Sequence, residues 1–138
     1  EIRLSLVGSE MCIRDRVKDS LDLEEDPDFK PGRKAIPKTS EMTKDEHNEL
    51  IKENPKYGKI ICRCEQVTEG EIVDAIHSPV GARTVDGIKR RCRATAGRCQ
   101  GGFCLPSIIE ILSRELGVDE EEITKKGKDS FYIEERIK

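Results

Sequence analysis

The sequence predicts a small, mainly α-helical domain that follows an extended, partly disordered N-terminal segment. Apolar residues recur at helical spacing in three stretches after residue 68. Only 35% of the 138 residues are hydrophobic and none is Trp. This number of apolar side chains is enough for the core of a domain of about 60–75 residues. The first 58 residues are highly charged and contain four of the six prolines, so we expect them to contribute little to that core.

The chain divides into four parts. Ser5–Arg16 resembles the translation of a sequencing-adapter read, so we expect a non-native or disordered leader and leave Cys12 out of any site. The four expected parts are a leader at 1–16, a linker with one short helix at 17–58, the folded domain at 59–126, and a tail with a candidate short strand at 127–138.

Capping boxes predict where two helices begin. Thr43 with Glu46, and Thr68 with Glu71, have the spacing at which the two side chains satisfy each other's backbone N–H groups. The first box opens the linker helix and the second opens a helix in the folded domain. Each helix contains or ends on a histidine, and we expect both, His47 and His77, to lie at the surface or to be structural.

Residues typical of helix ends also predict two further helices. Thr84 is expected to cap the third helix, which turns Val85 and Ile88 inward and basic residues outward. Pro106 suits the first turn of the fourth helix, and Gly117 suits the position after its end. The fourth helix has an expected buried stripe of Ile108, Ile109, Leu112 and Leu116. One or two more turns are expected over Val118–Lys126, and a short strand at Phe131–Ile133.

Charge and hydropathy limit the class of protein. Residues 58–104 carry 8 basic and 5 acidic side chains, although the whole chain has a net charge of -3. A basic region without stacking aromatics argues against nucleic acid and favours an anionic cofactor. The chain has neither a run of about 18 apolar residues for a membrane span nor a secretory signal. We therefore expect a cytoplasmic protein whose thiols stay reduced.

Four cysteines form two close pairs. One residue separates Cys62 from Cys64, four separate Cys99 from Cys104, and 34 lie between the pairs. Such pairs are typical of metal sites in reduced proteins. A [2Fe–2S] cluster takes two thiolates on each iron, whereas structural zinc sites usually place two to four residues between paired cysteines. The spacing favours a [2Fe–2S] cluster held by all four and leaves zinc, redox thiols or a disulfide open.

The residues around the cysteines suit an anionic cluster. Glycines in the second loop permit unusual dihedral angles and bring backbone N–H groups toward sulfur. Cys104 directly precedes a predicted helix N-terminus, where negative charge is favoured. Five arginines could offset the charge of the cluster: Arg63, Arg90, Arg91, Arg93 and Arg98. Cys92, on the basic third helix, is predicted to be a packed free thiol.

Three blocks around the cysteines resemble a known family. The blocks are Ile61–Ile72, Gly81–Arg91 and Gly97–Cys104. They are similar to the bacterioferritin-associated-ferredoxin-like (BFD-like) [2Fe–2S]-binding domain, in the version that ends FAD-dependent oxidoreductases of the anaerobic glycerol-3-phosphate dehydrogenase type. Phe29–Arg33 and Glu122–Gly127 extend the resemblance to about residues 28–130.

The resemblance implies a small helical fold of the helix-turn-helix type in which Cys62, Cys64, Cys99 and Cys104 bind the cluster. It also implies a partner, either the flavin-binding domain of a parent enzyme or another redox subunit. No Gly-x-Gly-x-x-Gly motif occurs, so FAD is expected only in a parent domain absent from this chain, as in a truncated gene. The resemblance thus favours an electron-transfer module without a catalytic site. The alternatives are a free-standing ferredoxin-like module, a structural zinc module and a thiol oxidoreductase.

Overall fold

The computed structural model describes residues 12–13, 15–21 and 35–134, and the chain divides into two compact units, Glu1–Lys34 and Ala35–Lys138. In the first unit the described residues are helical and exposed, Cys12 among them. The rest of the expected leader, together with residues 22–34, lies outside the described residues.

The described part of the second unit is mainly helical, as predicted. Its four α-helices are α1 (Lys44–Glu53), α2 (Glu69–His77), α3 (Val85–Cys92) and α4 (Leu105–Leu116). Its two strands are β1 (Ile60–Cys62) and β2 (Val67–Thr68). Single turns of 3₁₀-helix lie at Thr39–Glu41, Pro55–Gly58 and Glu120–Glu122. No helix in the described ranges is both long and apolar enough to cross a bilayer.

The helices begin where their capping residues predict. Thr43 with Glu46 and Thr68 with Glu71 both form complete capping boxes. The Thr84 hydroxyl accepts the backbone N–H of the residue three positions later and caps α3. These side chains satisfy donors that the first helical turn cannot pair internally, so local sequence alone determines these three starting points.

The core lies where α2, α3 and α4 contact one another. On α2, Ile72 and Ile76 are buried and Val73 is partly buried; on α3, Val85 and Ile88 face inward as expected. On α4 the buried face is wider than the predicted stripe, because Ile111 is 2% exposed while Leu116 is partly buried. The helix packs against both α2 and α3, which requires apolar side chains around more of its circumference.

A short antiparallel hairpin carries the first cysteine pair. In β1, Ile60 pairs with Thr68 and Cys62 with Val67. The register is irregular between these two pairs, and Gln66 takes a left-handed φ of 53°. The hairpin leads directly into α2, whose capping residue Thr68 is also the last residue of β2.

The segment after α4 contains one short turn. Glu120–Glu122 makes a single 3₁₀ turn, the smaller of the one or two turns expected over Val118–Lys126. The backbone beyond it is diverted to the N-terminus of α3, where Thr124 and Lys125 carbonyls accept N–H groups at 3.2 and 2.8 Å. Phe131 forms an isolated bridge with Thr124 rather than a strand. Backbone carbonyls of this segment thus pair with the first N–H groups of α3 instead of forming helical hydrogen bonds with one another.

Residues before β1 pack onto the helices. The hydroxyl of Thr39 donates to the Glu71 carboxylate at 3.0 Å, and the buried Tyr57 hydroxyl donates to Asp74 at 2.5 Å. Both contacts fasten this segment to α2.

The two histidines make structural contacts. His47 Nε2 lies 3.0 Å from the Tyr57 carbonyl, and the exposed His77 lies 2.7 Å from the Glu115 carboxylate. Hydrogen bonds from His77, Arg114 and Lys56 lower the pKa of Glu115 to about 2. Neither histidine lines the cavity at the cysteines.

A close contact between the segment before β1 and α2 involves Gly70. A Cβ atom there would lie 2.6 Å from Cγ of the Tyr57 ring. We expect Gly70→Ala to lower the free energy of unfolding by about 1–3 kcal/mol, because the ring must shift. Denaturant unfolding measures this. Gly58→Ala is the matched control, since its Cβ would meet Ile51 at an ordinary 3.5 Å; an equal loss in both variants would contradict the packing argument.

Candidate metal centre

The four predicted cysteines line one cavity of about 560 Å³. Two walls come from the β1–β2 hairpin and from the loop between α3 and α4. The full lining is Lys59, Ile60, Ile61, Cys62, Arg63, Cys64, Cys99, Phe103, Cys104 and Ser107. It contains four thiols but no histidine or carboxylate, a donor set that suits iron–sulfur chemistry.

The hairpin places its two cysteines in different environments. Cys62 ends β1 and is 1% exposed within the core, whereas Cys64 lies in the following turn and is exposed. The turn bends the chain away from the strand direction, with Gln66 in the left-handed region. A single residue between the two cysteines is thus enough for one sulfur to lie in the core and the other at the surface.

The second loop reverses the chain between α3 and α4. Arg93 ends α3 in the left-handed region with φ 65°, and Thr95 and Gln100 follow with φ of 72° and 49°. Left-handed backbone is uncommon for residues other than glycine, above all for a β-branched one such as Thr95. Several costly conformations in one loop indicate that tertiary contacts impose its path. The loop ends at Cys104, which directly precedes α4 and is 2% exposed.

The sulfurs of Cys64 and Cys99 lie 3.7 Å apart. That is too long for a disulfide, whose sulfurs lie about 2.05 Å apart. Two thiolates on one tetrahedral metal ion, at about 2.3 Å each, would lie about 3.8 Å apart. The separation therefore matches two ligands of one metal ion. We call Cys64 and Cys99 the outer pair, and the buried Cys62 and Cys104 the inner pair.

No group of three or more His, Cys, Asp and Glu side chains in the described ranges is gathered as a single-ion site. The four thiols around the cavity match the number that a cluster of two irons needs, at two thiolates on each metal.

The two loops touch at Gly97. A Cβ atom on this residue would lie 2.3 Å from Cβ and 3.3 Å from Sγ of Cys64. No side chain fits there without displacing that cysteine. Glu65 and Arg93 add an ion pair of 2.8 Å between the same two loops. The separation of the Cys64 and Cys99 sulfurs thus depends on a close approach that only glycine permits.

The electrostatic surroundings of the Cys99 and Cys104 thiols differ. Backbone hydrogen bonds from Gly101 and then Phe103 lower the pKa of the partly exposed Cys99 thiol. Burial, and then the neighbouring Cys62, raise the pKa of Cys104 to about 11. Cys99 therefore offers a more stable thiolate than Cys104 before any metal binds.

Two arginines next to the cysteines have no carboxylate partner. Arg63 and Arg98 are exposed, and neither makes an ion pair with another described residue. They remain available to offset a negative cluster. Arg93, expected to do the same, is instead paired with Glu65. Arg91 donates to the Val80 and Gly87 carbonyls, so it helps to fix the α2–α3 loop.

The other cysteine of this unit does not line the cavity. Cys92 Sγ donates to the Ile88 carbonyl at 3.3 Å within α3. Burial raises the pKa of its thiol to about 11, which makes a reactive thiolate unfavourable. Its surroundings are those of the packed free thiol that the sequence predicted.

Comparison with known proteins identifies the segment that holds these cysteines. Residues 60–114 match the family described as "BFD-like [2Fe-2S] binding domain". Residues 60–114 are a BFD-like domain. The matched range contains all four cysteines of the cavity and ends within α4. The chain therefore carries an iron–sulfur cluster-binding module.

Similarity to longer proteins extends beyond the BFD-like domain. The chain is 60% identical over 111 residues to a glycerol 3-phosphate dehydrogenase of Caloramator mitchellensis, covering 80% of this chain and 23% of that protein. It is 43% identical over 58 residues to hydrogen cyanide synthase subunit HcnB of Pseudomonas aeruginosa, covering 42% of this chain and 12% of that protein. With the anaerobic glycerol-3-phosphate dehydrogenase subunit A1 of Haloferax volcanii it shares 29% identity over 75 residues, 54% of this chain and 12% of that protein. The chain thus spans less than a quarter of each relative, and no solved structure matches it significantly.

The sequence did not reveal three residues that shape the site. The backbone of Thr95, in a left-handed conformation, acts to lower the pKa of Cys104. Phe103, between Gly102 and Cys104, is 87% exposed on the rim of the cavity. Gly97 was expected to permit unusual dihedral angles, but its role is steric. Only the three-dimensional meeting of the loops reveals these roles.

Gly97 gives a direct test of the loop contact. We expect Gly97→Ala to lose most of the iron and sulfide that the reconstituted protein retains, because the new Cβ displaces Cys64. Metal and sulfide analysis after gel filtration measures this. Gly102→Ala is the control in the same loop, since its Cβ would meet only the Cys99 carbonyl, at 3.2 Å. Full retention in Gly97→Ala would contradict the assigned contact.

Proposed function

We propose that Cys62, Cys64, Cys99 and Cys104 bind a [2Fe–2S] cluster and that this cluster relays single electrons. The observation that carries the proposal is the placement of four thiols around one cavity, with the sulfurs of Cys64 and Cys99 3.7 Å apart. Two thiolates for each iron is the ligand set of this cluster. When bound, the cluster supplies one-electron chemistry.

The residues of the chain have distinct tasks in this proposal. Cys62 and Cys104 anchor the cluster to the hydrophobic core, while Cys64 and Cys99 hold it at the surface. Backbone N–H groups of the second loop direct positive dipoles at sulfur, and Arg63 and Arg98 moderate the total charge. The exposed rim lets a partner approach within electron-transfer distance.

The partner in this proposal is a flavin-bearing domain. Two of the similar proteins are named as glycerol 3-phosphate dehydrogenases, and each is more than four times as long as the region that this chain covers. We therefore place the chain within an FAD-dependent oxidoreductase of that type, with FAD bound in a part of the enzyme not present here, or opposite another redox subunit. No catalytic residue is assigned to this chain, and a cytoplasmic setting would keep its thiols reduced.

The ligand set can be tested by single substitutions. Replacing any of Cys62, Cys64, Cys99 or Cys104 by Ser is expected to lose or severely alter the cluster, because each iron needs two thiolates. Cys92→Ser is the control and should keep the cluster, since Cys92 lies outside the cavity. Visible absorbance, together with iron and sulfide counts, measures the outcome. Bleaching by Cys92→Ser with retention in Cys99→Ser would refute the ligand set.

Spectroscopy of the anaerobically purified protein tests the proposed cluster. We expect a red-brown protein with two irons and two sulfides per chain, EPR-silent as isolated and EPR-active after one-electron reduction. A colourless protein that holds one zinc, even after iron and sulfide are supplied, would show a structural zinc module instead.

Electron relay needs its own measurement. Dithionite and reduced flavin should each bleach the visible band, with one electron consumed per cluster. A cluster that is present but takes no electron from either donor would leave only a structural role.

A further inference from the structure

We infer that the two sulfur pairs are unequal and that the electron accepted by the centre is held on the side of Cys64 and Cys99. This inference rests on the proposed cluster. One electron, from dithionite or from a reduced flavin, converts one ferric ion to ferrous, and no bond forms or breaks. The question is which pair of thiolates surrounds the ion that changes.

Burial separates the pairs most clearly. Cys62 and Cys104 are 1% and 2% exposed and belong to the hydrophobic core, whereas Cys64 is exposed and Cys99 is partly exposed. An added electron brings one negative charge. Negative charge is harder to accommodate among buried apolar side chains than beside water. Desolvation therefore opposes reduction at the inner pair.

The helix N-terminus at Cys104 is the main opposing influence, because helix N-termini favour negative charge. Here most of its first donors are not available to sulfur. The Leu105 N–H donates to the Gly101 carbonyl at 3.0 Å, the Ile108 N–H donates to the Cys104 carbonyl, and Pro106 has no N–H. Only the Ser107 N–H remains in the first turn, so the effect of α4 on the inner pair is reduced.

The outer side is also where an electron can enter. The unpaired Arg63 and Arg98 each adjoin a cysteine, and Phe103 is 87% exposed on the same rim. A donor that reaches this rim meets Cys64 and Cys99 before the buried pair. An electron held on this side therefore has the shorter path to a partner.

Paramagnetic NMR of the reduced wild-type protein tests the inference without a substitution. In a reduced two-iron centre, β-protons of cysteines on ferrous and ferric iron shift with temperature in opposite senses. The structure supplies the assignments, since Cys62 pairs with Val67 across the hairpin and Cys64 touches Gly97. We expect the ferrous signature on Cys64 and Cys99. A ferrous signature on Cys62 and Cys104, or equal behaviour of all four, would overturn the inference.

Serine variants give a second measurement on the proteins that retain a cluster. A serine alkoxide disfavours ferrous iron, so it should lower the midpoint potential most at the ion that is reduced. We expect larger downward shifts and larger changes in the reduced EPR spectrum for Cys64→Ser and Cys99→Ser than for Cys62→Ser and Cys104→Ser. The reverse order would overturn the inference. A protein that binds no cluster at all fails the proposed function instead, which absorbance reveals before any electron is added.

Discussion

The close approach of Cys64 and Gly97 is the contact on which the metal centre depends. It joins two loops that are more than 30 residues apart in sequence, and it leaves no room for a side chain at position 97. Bringing such distant segments together costs chain entropy. The packing of α2 against α3 and α4 offsets this cost, because it places the ends of both loops at one side of the core. The centre is therefore a product of the helical core and not of the loops alone.

Segments outside the matched domain complete that core. Before it, Thr39 and Tyr57 bond to side chains of α2. After it, the carbonyls of Thr124 and Lys125 accept the first N–H groups of α3. A small helical domain buries a limited area, so these flanking contacts enlarge the frame that holds the loops.

The two ends of the cavity have different physical characters. One end is set in the core, where packing fixes Cys62 and Cys104 and water is excluded. The other end is polar and exposed, with backbone N–H groups, unpaired arginines and an exposed phenylalanine. Anchoring the site in the core requires buried sulfurs, whereas the proposed exchange of electrons with a partner requires exposed ones. The structure meets both demands because Cys-x-Cys crosses from the core to the surface within a single turn.

The sequence by itself determined where the capped helices start and which side chains form the two close cysteine pairs, because these depend on nearest neighbours or on residue type. It could not determine the isolated bridge at Phe131, the burial of Ile111 or the contact at Gly97. These depend on which distant segment occupies the adjacent space. Local hydrogen bonds are fixed by spacing along the chain, whereas packing and the exposure of each sulfur are fixed only when the helices come together.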